Sequence, residues 1–364
     1  LHGQPVPKVG QAMHLTPSAP TGYRHTYISH RALAGGSPTP IRHQPPRQSV
    51  MRLAYGPWGE TIAEMVEAGV AAEAAGFDSV WTAEIHRSAF VPAAAMAQAT
   101  ERVGVGLGLG VRRLNEDWHG TAFGRPVPHL RETVTTVRHL IREVHLDRPI
   151  EVAGQYHPLR LRGYQRPFPP VRECLPIYLA GLGPHMVRLA GEIGDGWIAH
   201  ELGSPGYTRV HLLPNLREGL SSAGHDPESF TRVVSACCVP HRDGRQARRW
   251  AAGLVAFYAS VRTYHELFAL HGFGERAAIV RERFRAGDVQ GMIDACSDEM
   301  VDAFTIAGHP DEVRARLQAY QGVADVVKVT PPTHNVSPEV TRHVQRAILE
   351  LLGDPVAGVG RRMP

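Results

Sequence analysis

After residue 50 the chain has a single lysine, Lys328, set inside an apolar run, Asp325–Thr330 (DVVKVT). Lysine is seldom buried without a partner, so this position predicts an anionic group at a strand end or a structural ion pair. Polar residues also follow other apolar runs. Glu84 and His86 come after DSVWTA, and His200, Glu201 and Ser204 come after GWIA. A carboxylate and an imidazole at such ends can carry a proton to or from a substrate; loop polarity and hydrogen bonding to neighbours are the alternative. Gly181-Leu182-Gly183 separates LPIYLA from Pro184. Glycines there let backbone N–H groups approach an anion at a helix start; an ordinary tight turn is the other reading. Trp58, in GPWG, could stack beside a planar ring. Asn115, Glu116, Trp118 and His119 form a polar and aromatic cluster that could contact a substrate or cap the next helix.

Other chemistries are set aside by pattern. The 21 histidines include no HExxH and no compact His/carboxylate spacing, so no metal site is assigned. Cys174, Cys237, Cys238 and Cys296 form no CxxC pair, and the adjacent two lie in an apolar run. They read as reduced core thiols of a cytoplasmic protein rather than zinc ligands. The net charge of +4 comes from the first 50 residues, which hold five basic and no acidic groups. Removing those five of the 39 basic groups leaves 34 against 35 acidic ones, so no nucleic-acid footprint is expected. No apolar run approaches a membrane span of about 20 residues.

These residues need elements to position them. Residues 1–50 carry eight prolines, five glycines and no sustained apolar periodicity. They are expected to be a disordered extension, expression-derived or from upstream translation, with a targeting sequence as the alternative. From Met51 strands and helices alternate. Strands are expected near 52, 79, 104, 176, 197, 234 and 327, with helices dominating 244–320 and a closing helix through Val340, Val344, Ile348 and Leu351. Residues 51–353 form the domain and 354–364 a flexible tail. Such alternation implies a parallel sheet covered by helices. Gly104, Gly106, Gly108 and Gly110 alternate along a strand, and no GxGxxG follows the first strand. This favours a TIM-type (β/α) barrel over a doubly wound sheet. Phe257, Tyr258, Tyr264, Phe268 and Phe273 recur at near-helical spacing; core packing is the expected role and pocket lining the alternative.

Four blocks carry a family resemblance: AEAAGFDSVWTAEIHRSAFVPAAAMAQATERVGVG, NEDWHGTAFGRPVPHLRETV, LPIYLAGLGPHMVRLAGEIGDGWIAHELGSPGY, and IAGHPDEVRARL with DVVKVTPP. In that order the sequence resembles the luciferase-like monooxygenase superfamily, in its branch of coenzyme F420-dependent oxidoreductases related to methylenetetrahydromethanopterin reductase. The resemblance implies a barrel that holds a flavin or deazaflavin at the C-terminal ends of its strands, where active sites of such barrels lie. It implies Glu84 and His86 as catalytic residues, although His86 stands one position beyond the family's acid–histidine pair. Trp58, Ala180, Gly181, Leu182, Gly183, Trp197, His200, Ser204 and Lys328 are the implied cofactor contacts, and Asn115, Trp118 and His119 the substrate contacts.

One departure bears on the fold. ERVGVG runs almost directly into LGLGVRRLNEDWHG, as if the start of a third strand were joined to the end of a fourth. About one βα unit is missing, so the expectation is a seven-stranded or gapped barrel. The expected function is an F420-dependent oxidoreductase moving a hydride between deazaflavin and a small organic molecule. The arginine-rich coding, of the actinobacterial kind, favours F420 over FMN. The alternatives are an FMN-dependent monooxygenase of the same fold and a catalytically defective ligand-binding relative. No membrane or nucleic-acid partner is expected; a homodimer is compatible.

Overall fold

The computed structural model describes residues 51–85, 87–108, 114–118, 120–172 and 174–353. The extension and tail expected over 1–50 and 354–364, and both His86 and His119, lie outside the described residues.

The first half of the fold is β1 (Arg52–Tyr55), α1 (Ile62–Ala74), β2 (Ser79–Ala83), α2 (Phe90–Ala99) and β3 (Gly104–Gly108). A five-residue π-helical turn, Leu114–Trp118, leads to α3 (Pro126–Glu143) and an antiparallel hairpin of β4 (Ile150–Val152) and β5 (Leu159–Leu161). Then come β6 (Tyr178–Ala180), α4 (Pro184–Ile193), β7 (Gly196–Ala199), α5 (Pro205–Tyr207), a second π-helical turn, Thr208–Leu212, and α6 (Leu213–Ala223). The last third holds β8 (Thr231–Pro240), α7 (Gly244–Ser260), α8 (His265–Leu270), α9 (Gly274–Arg285), α10 (Val289–Asp294), α11 (Asp298–Phe304), β9 (Thr305–Gly308), α12 (Pro310–Gln318), β10 (Val326–Thr330) and α13 (Pro338–Gly353).

Local signals set these boundaries. Thr61 caps α1 by accepting the Glu64 N–H at 3.1 Å, and Gly76 follows that helix at φ +84°. Pro184 and Pro310 start α4 and α12, and Glu312 returns to the His309 N–H in a capping box. An aspartate stands immediately before each of β2, β7 and β10. Asp78 meets Arg52 at 3.1 Å, Asp195 meets Arg138 at 2.6 Å, and Asp325 meets Arg232 at 2.6 Å. Asp195 and Asp325 also accept the backbone N–H of Ile177 and Arg232 at 2.8 Å, tying the strands together at their N-terminal ends.

The main sheet runs β3-β2-β1-β10-β8-β7-β6, with every neighbouring pair parallel, and among the described residues no ladder joins β3 to β6. This is the gapped, seven-stranded TIM-type barrel expected from the shortened third repeat. Inside it, Ala54, Val233 and Val326 pack with Trp81, Tyr178 and Ile198. The Trp81 and Tyr178 rings, from strands on opposite arms of the open sheet, lie 6.0 Å apart. Two glycines make room for them. A Cβ on Gly106 would fall 2.4 Å from the Trp81 ring, and one on Gly196 2.6 Å from the Tyr178 ring. Two large rings thus share the bore with the branched side chains that usually fill such barrels.

The sequence reading erred in three places. Residues 305–308, assigned to a helical region, form β9, which extends the sheet beside the second half of β8 through Cys237–Thr305 to Pro240–Gly308. Four wholly buried residues are too few to show an alternation. The β4–β5 hairpin was also unanticipated. The strand expected from Leu175 begins only at Tyr178, and Leu175 is exposed. No helix among the described residues is long and apolar enough to cross a membrane.

Candidate active site at the open end of the barrel

Alternation along the strands decides which side chains reach the bore. On β7, Gly196 and Ile198 face Tyr178 and the inner cluster, so His200 continues that face beyond the strand. On β10, Val326 is inside, which puts Lys328 and Thr330 on the same face, level with Ser235 and Cys237 of β8. These residues converge at the C-terminal ends of the strands.

Two linked pairs organise the cluster. His200 Nδ1 accepts the Leu202 N–H at 3.2 Å, so the ring proton lies on Nε2 and is donated to Tyr264 Oη at 3.0 Å. That leaves the Tyr264 hydroxyl proton free to point elsewhere. Burial pushes the His200 pKa down to about 4; the Glu201 carboxylate opposes this shift and the Lys328 charge adds to it. Glu201 accepts the Thr330 hydroxyl at 3.1 Å on one oxygen and the Tyr258 hydroxyl at 3.3 Å on the other. Burial and the Glu201 charge both raise the Tyr258 and Tyr264 phenols. Burial lowers Lys328, with Glu201 opposing it. The site therefore presents a neutral imidazole, a carboxylate held by two hydroxyls, and a lysine amine whose charged form burial disfavours.

The wall beside this cluster is aromatic. Phe257 stacks on His334 with centroids 4.1 Å apart, and Tyr258 lies edge-on to His200 at 4.7 Å. Asn335, at φ +56°, donates to the Gly253 carbonyl at 3.0 Å and presses the loop after β10 onto α7. A Cβ on Gly253 would meet the His334 carbonyl at 2.4 Å, so this close approach needs glycine.

Gly181 through Gly183 join β6 to the N-terminus of α4. Gly181 donates its N–H to Ile198 at 3.1 Å, and a Cβ there would press on the Met186 and Val187 backbone at 3.1 Å. A Cβ on Gly183 would meet nothing within 4 Å. The loop thus presents open backbone at the positive end of a ten-residue helix. Ala180 is exposed at the mouth, and Leu182 is half-buried against the core.

Several expected site residues are placed elsewhere. Trp197 is fully buried on the outer face of β7 under the helices, and its indole N–H is donated to the Gly181 carbonyl at 2.9 Å; strand alternation turns it away from the bore and from any bound ring. Ser204 accepts the Tyr207 N–H at 3.2 Å and pairs with His271 Nε2 at 3.0 Å. His271 Nδ1 donates to the Leu267 carbonyl at 2.8 Å, so its Nε2 accepts and takes the one Ser204 proton. That proton is not available for a cofactor tail. Trp58 is latched to α13: Gln345 accepts its N–H at 2.8 Å and donates to its carbonyl at 3.0 Å, while Arg342 stands over its ring at 5.5 Å. Glu84 turns one oxygen to the Ala89 N–H at 2.7 Å and so caps α2. Asn115 is half-buried and Trp118 exposed in the first π-helical turn.

Thr330 and His334 joined the site without being singled out for it, and Tyr258 and Tyr264 joined it against the expected core role, as the pocket-lining alternative had it. The tyrosines belonged to the stripe taken for core, and only their hydroxyls distinguish them from its phenylalanines. Cys237 and Cys238 are buried, and burial pushes both thiols up, Cys238 to about 12. Among the described residues no three His, Cys, Asp or Glu side chains are placed to share a metal ion. Surface hollows of about 420 Å³ beside α3 and about 450 Å³ between α9 and α10 lie away from these groups. The site is assigned by its convergent chemistry.

Comparison with known proteins agrees with the architecture. A putative coenzyme F420-dependent oxidoreductase of Mycobacterium tuberculosis is 28% identical over 333 residues, covering 76% of this chain and 93% of that protein. The coenzyme F420-dependent tetrahydromethanopterin reductase of Methanopyrus kandleri superposes with a TM-score of 0.67 at 20% identity, over 85% of this chain and 98% of the other. The oxygenating constituent of 3,6-diketocamphane monooxygenase from Pseudomonas putida, solved with FMN, gives 0.55 at 17% identity over 85% and 98%. The family pattern described as luciferase-like monooxygenase matches residues 42–109 and 102–325, and its two segments overlap in β3, where the barrel is gapped. With most of its length matched and the gap falling where that match breaks, the chain belongs to the luciferase-like monooxygenase family.

Proposed function

We propose that this protein is an F420-dependent oxidoreductase that moves a hydride between the deazaflavin and a small organic substrate. The observation that carries the reading is the convergence of His200, Glu201 and Lys328 at the C-terminal end of the barrel. The F420-dependent relative supports the choice of cofactor. The residues present fit such a group. Ala83 and Ala180 are exposed and Gly108 is half-buried, so β2, β3 and β6 leave a low wall on which a planar ring can lie. The open Gly183 backbone at the start of α4 suits a polyanionic tail.

When bound, the deazaflavin supplies the redox chemistry. The chain's own residues bind, orient and move the proton. Glu201 and His200 are assigned the proton, with Tyr258 and Tyr264 passing it toward the substrate oxygen. Glu84 holds α2 in place beside the ring, and Ala180 through Gly183 hold the tail. Asn115 and Trp118 are assigned to the substrate side. The second reading, an FMN-dependent monooxygenase, is favoured by the FMN-bound structural neighbour.

Titration of the purified chain with F420 and, separately, FMN tests the reading. Saturable quenching of F420 fluorescence, with weaker FMN binding, is the expected result. Tighter FMN binding selects the second reading, and binding of neither selects a defective ligand-binding relative.

A further inference from the structure

Lys328 sits in mid-strand, paired with Ala54 of β1 on one side and Ser235 of β8 on the other. Among the described residues no ion pair holds its ammonium. Thr330, two residues further along the same face of β10, donates to Glu201 at 3.1 Å, which sets that carboxylate and the adjacent His200 at the same end of the bore as Lys328. Glu201 is already held by the Thr330 and Tyr258 hydroxyls, and His200 is neutral, with its proton given to Tyr264. Glu201 already places one carboxylate at this end, so an anion entering it would meet a like charge. The aromatic wall of Phe257, Tyr258 and His334 also suits an uncharged guest.

From this arrangement we propose that Lys328 is a carbonyl-capturing amine, condensing reversibly with a small uncharged aldehyde or ketone, and that Glu201 carries the protons. An amine on a barrel strand, without an ion-pair partner and with a carboxylate nearby, has the parts that imine formation needs. The nitrogen lone pair forms a C–N bond to the carbonyl carbon, and the carbonyl π pair moves to oxygen, which takes a proton from solvent; the product is the protonated imine. The nitrogen gives up a proton to Glu201, which returns it to the hydroxyl; water leaves as the C=N bond forms. No oxidant or reductant is consumed. Burial also favours the unprotonated amine that the first step requires. Capture needs no deazaflavin, so it is independent of the cofactor reading.

The chain has two lysines, and Lys8 serves as an internal reference. The full chain, without added cofactor, is treated at neutral pH with butanal and cyanoborohydride, and reduced adducts are located by peptide mass. Lys328 is expected to label about tenfold faster than Lys8, because burial lowers its pKa and so enlarges its share of free amine. Glu201→Gln is expected to slow labelling at Lys328 by at least about tenfold and leave Lys8 unchanged. Equal rates at the two lysines, or no label on Lys328, overturn the proposal. Faster labelling by succinic semialdehyde than by butanal overturns the uncharged ligand class. If Glu201→Gln fails to fold by circular dichroism, the Lys328-to-Lys8 ratio in the unaltered chain still decides.

Discussion

Single residues fix the protonation of the site. His200 stays neutral down to about pH 4, against 6.5 for an ordinary imidazole. The unfolded chain therefore binds this proton first as pH falls. Its effect on stability is absent above pH 6.5, grows between pH 6.5 and about 4, and reaches a loss of about 3 kcal/mol below that. His200→Gln is expected to remove that part of the acid sensitivity, read as a smaller fall in urea midpoint between neutral pH and pH 4 than in the parent chain. Tyr264→Phe leaves the His200 N–H without its acceptor and is expected to cost about 1–2 kcal/mol, measured by urea unfolding at neutral pH. Lys328, His200 and Glu201 were legible in the sequence because each is a polar residue in or just after an apolar strand. Tyr258 and Tyr264 were not, because an aromatic stripe at helical spacing looks the same whether it faces core or cleft. The destination of Ser204 was also hidden: its partner, His271, is 67 residues away, and no local pattern joins them.

At the scale of elements, the seven strands of the sheet path were legible from apolar runs closed by glycine, proline or a polar residue. β9 was not, since its burial comes wholly from β8 and the flanking helices. The Trp81–Gly106 contact was not legible either: the alternating glycines showed a face but not what lay on it. That contact makes a prediction. Gly106→Ala puts a methyl 2.4 Å from the indole and is expected to cost about 1–3 kcal/mol. Trp81→Ala is expected to cost about 3 kcal/mol, at the low end for a tryptophan because the ring is only half-buried. Because the two positions touch, the double variant is expected to be less destabilised than the sum of the two. Denaturant unfolding of the four chains measures this; strict additivity would mean that the ring does not lie across β3.

For the whole molecule, the missing βα unit leaves β3 and β6 with one ladder neighbour each among the described residues, whereas β10 and β8 pair on both sides. Amide exchange is therefore expected to be fastest in β3 and β6 and slowest in β8 and β10, read strand by strand by mass spectrometry. The Asp–Arg pairs at the N-terminal ends still join β1 to β2 and β8 to β10, and Arg138 links α3 to the start of β7. Heating is expected to give one cooperative transition; a separate early loss of one arm would show that these ties do not hold the halves as a unit. The missing unit was legible as a splice in the sequence, but the means by which the bore is filled was not.

The break also changes what sets the size of the ring. A closed barrel has its circumference fixed by strand number and shear, and no side chain can alter it. A split ring has no such constraint. Its span is set by whatever holds the two arms apart, and here that spacer is the Trp81–Tyr178 pair, 6.0 Å between centroids. Mouth width thus becomes a property of two side chains instead of the backbone, and guests of different breadth can be admitted by changing the spacer alone.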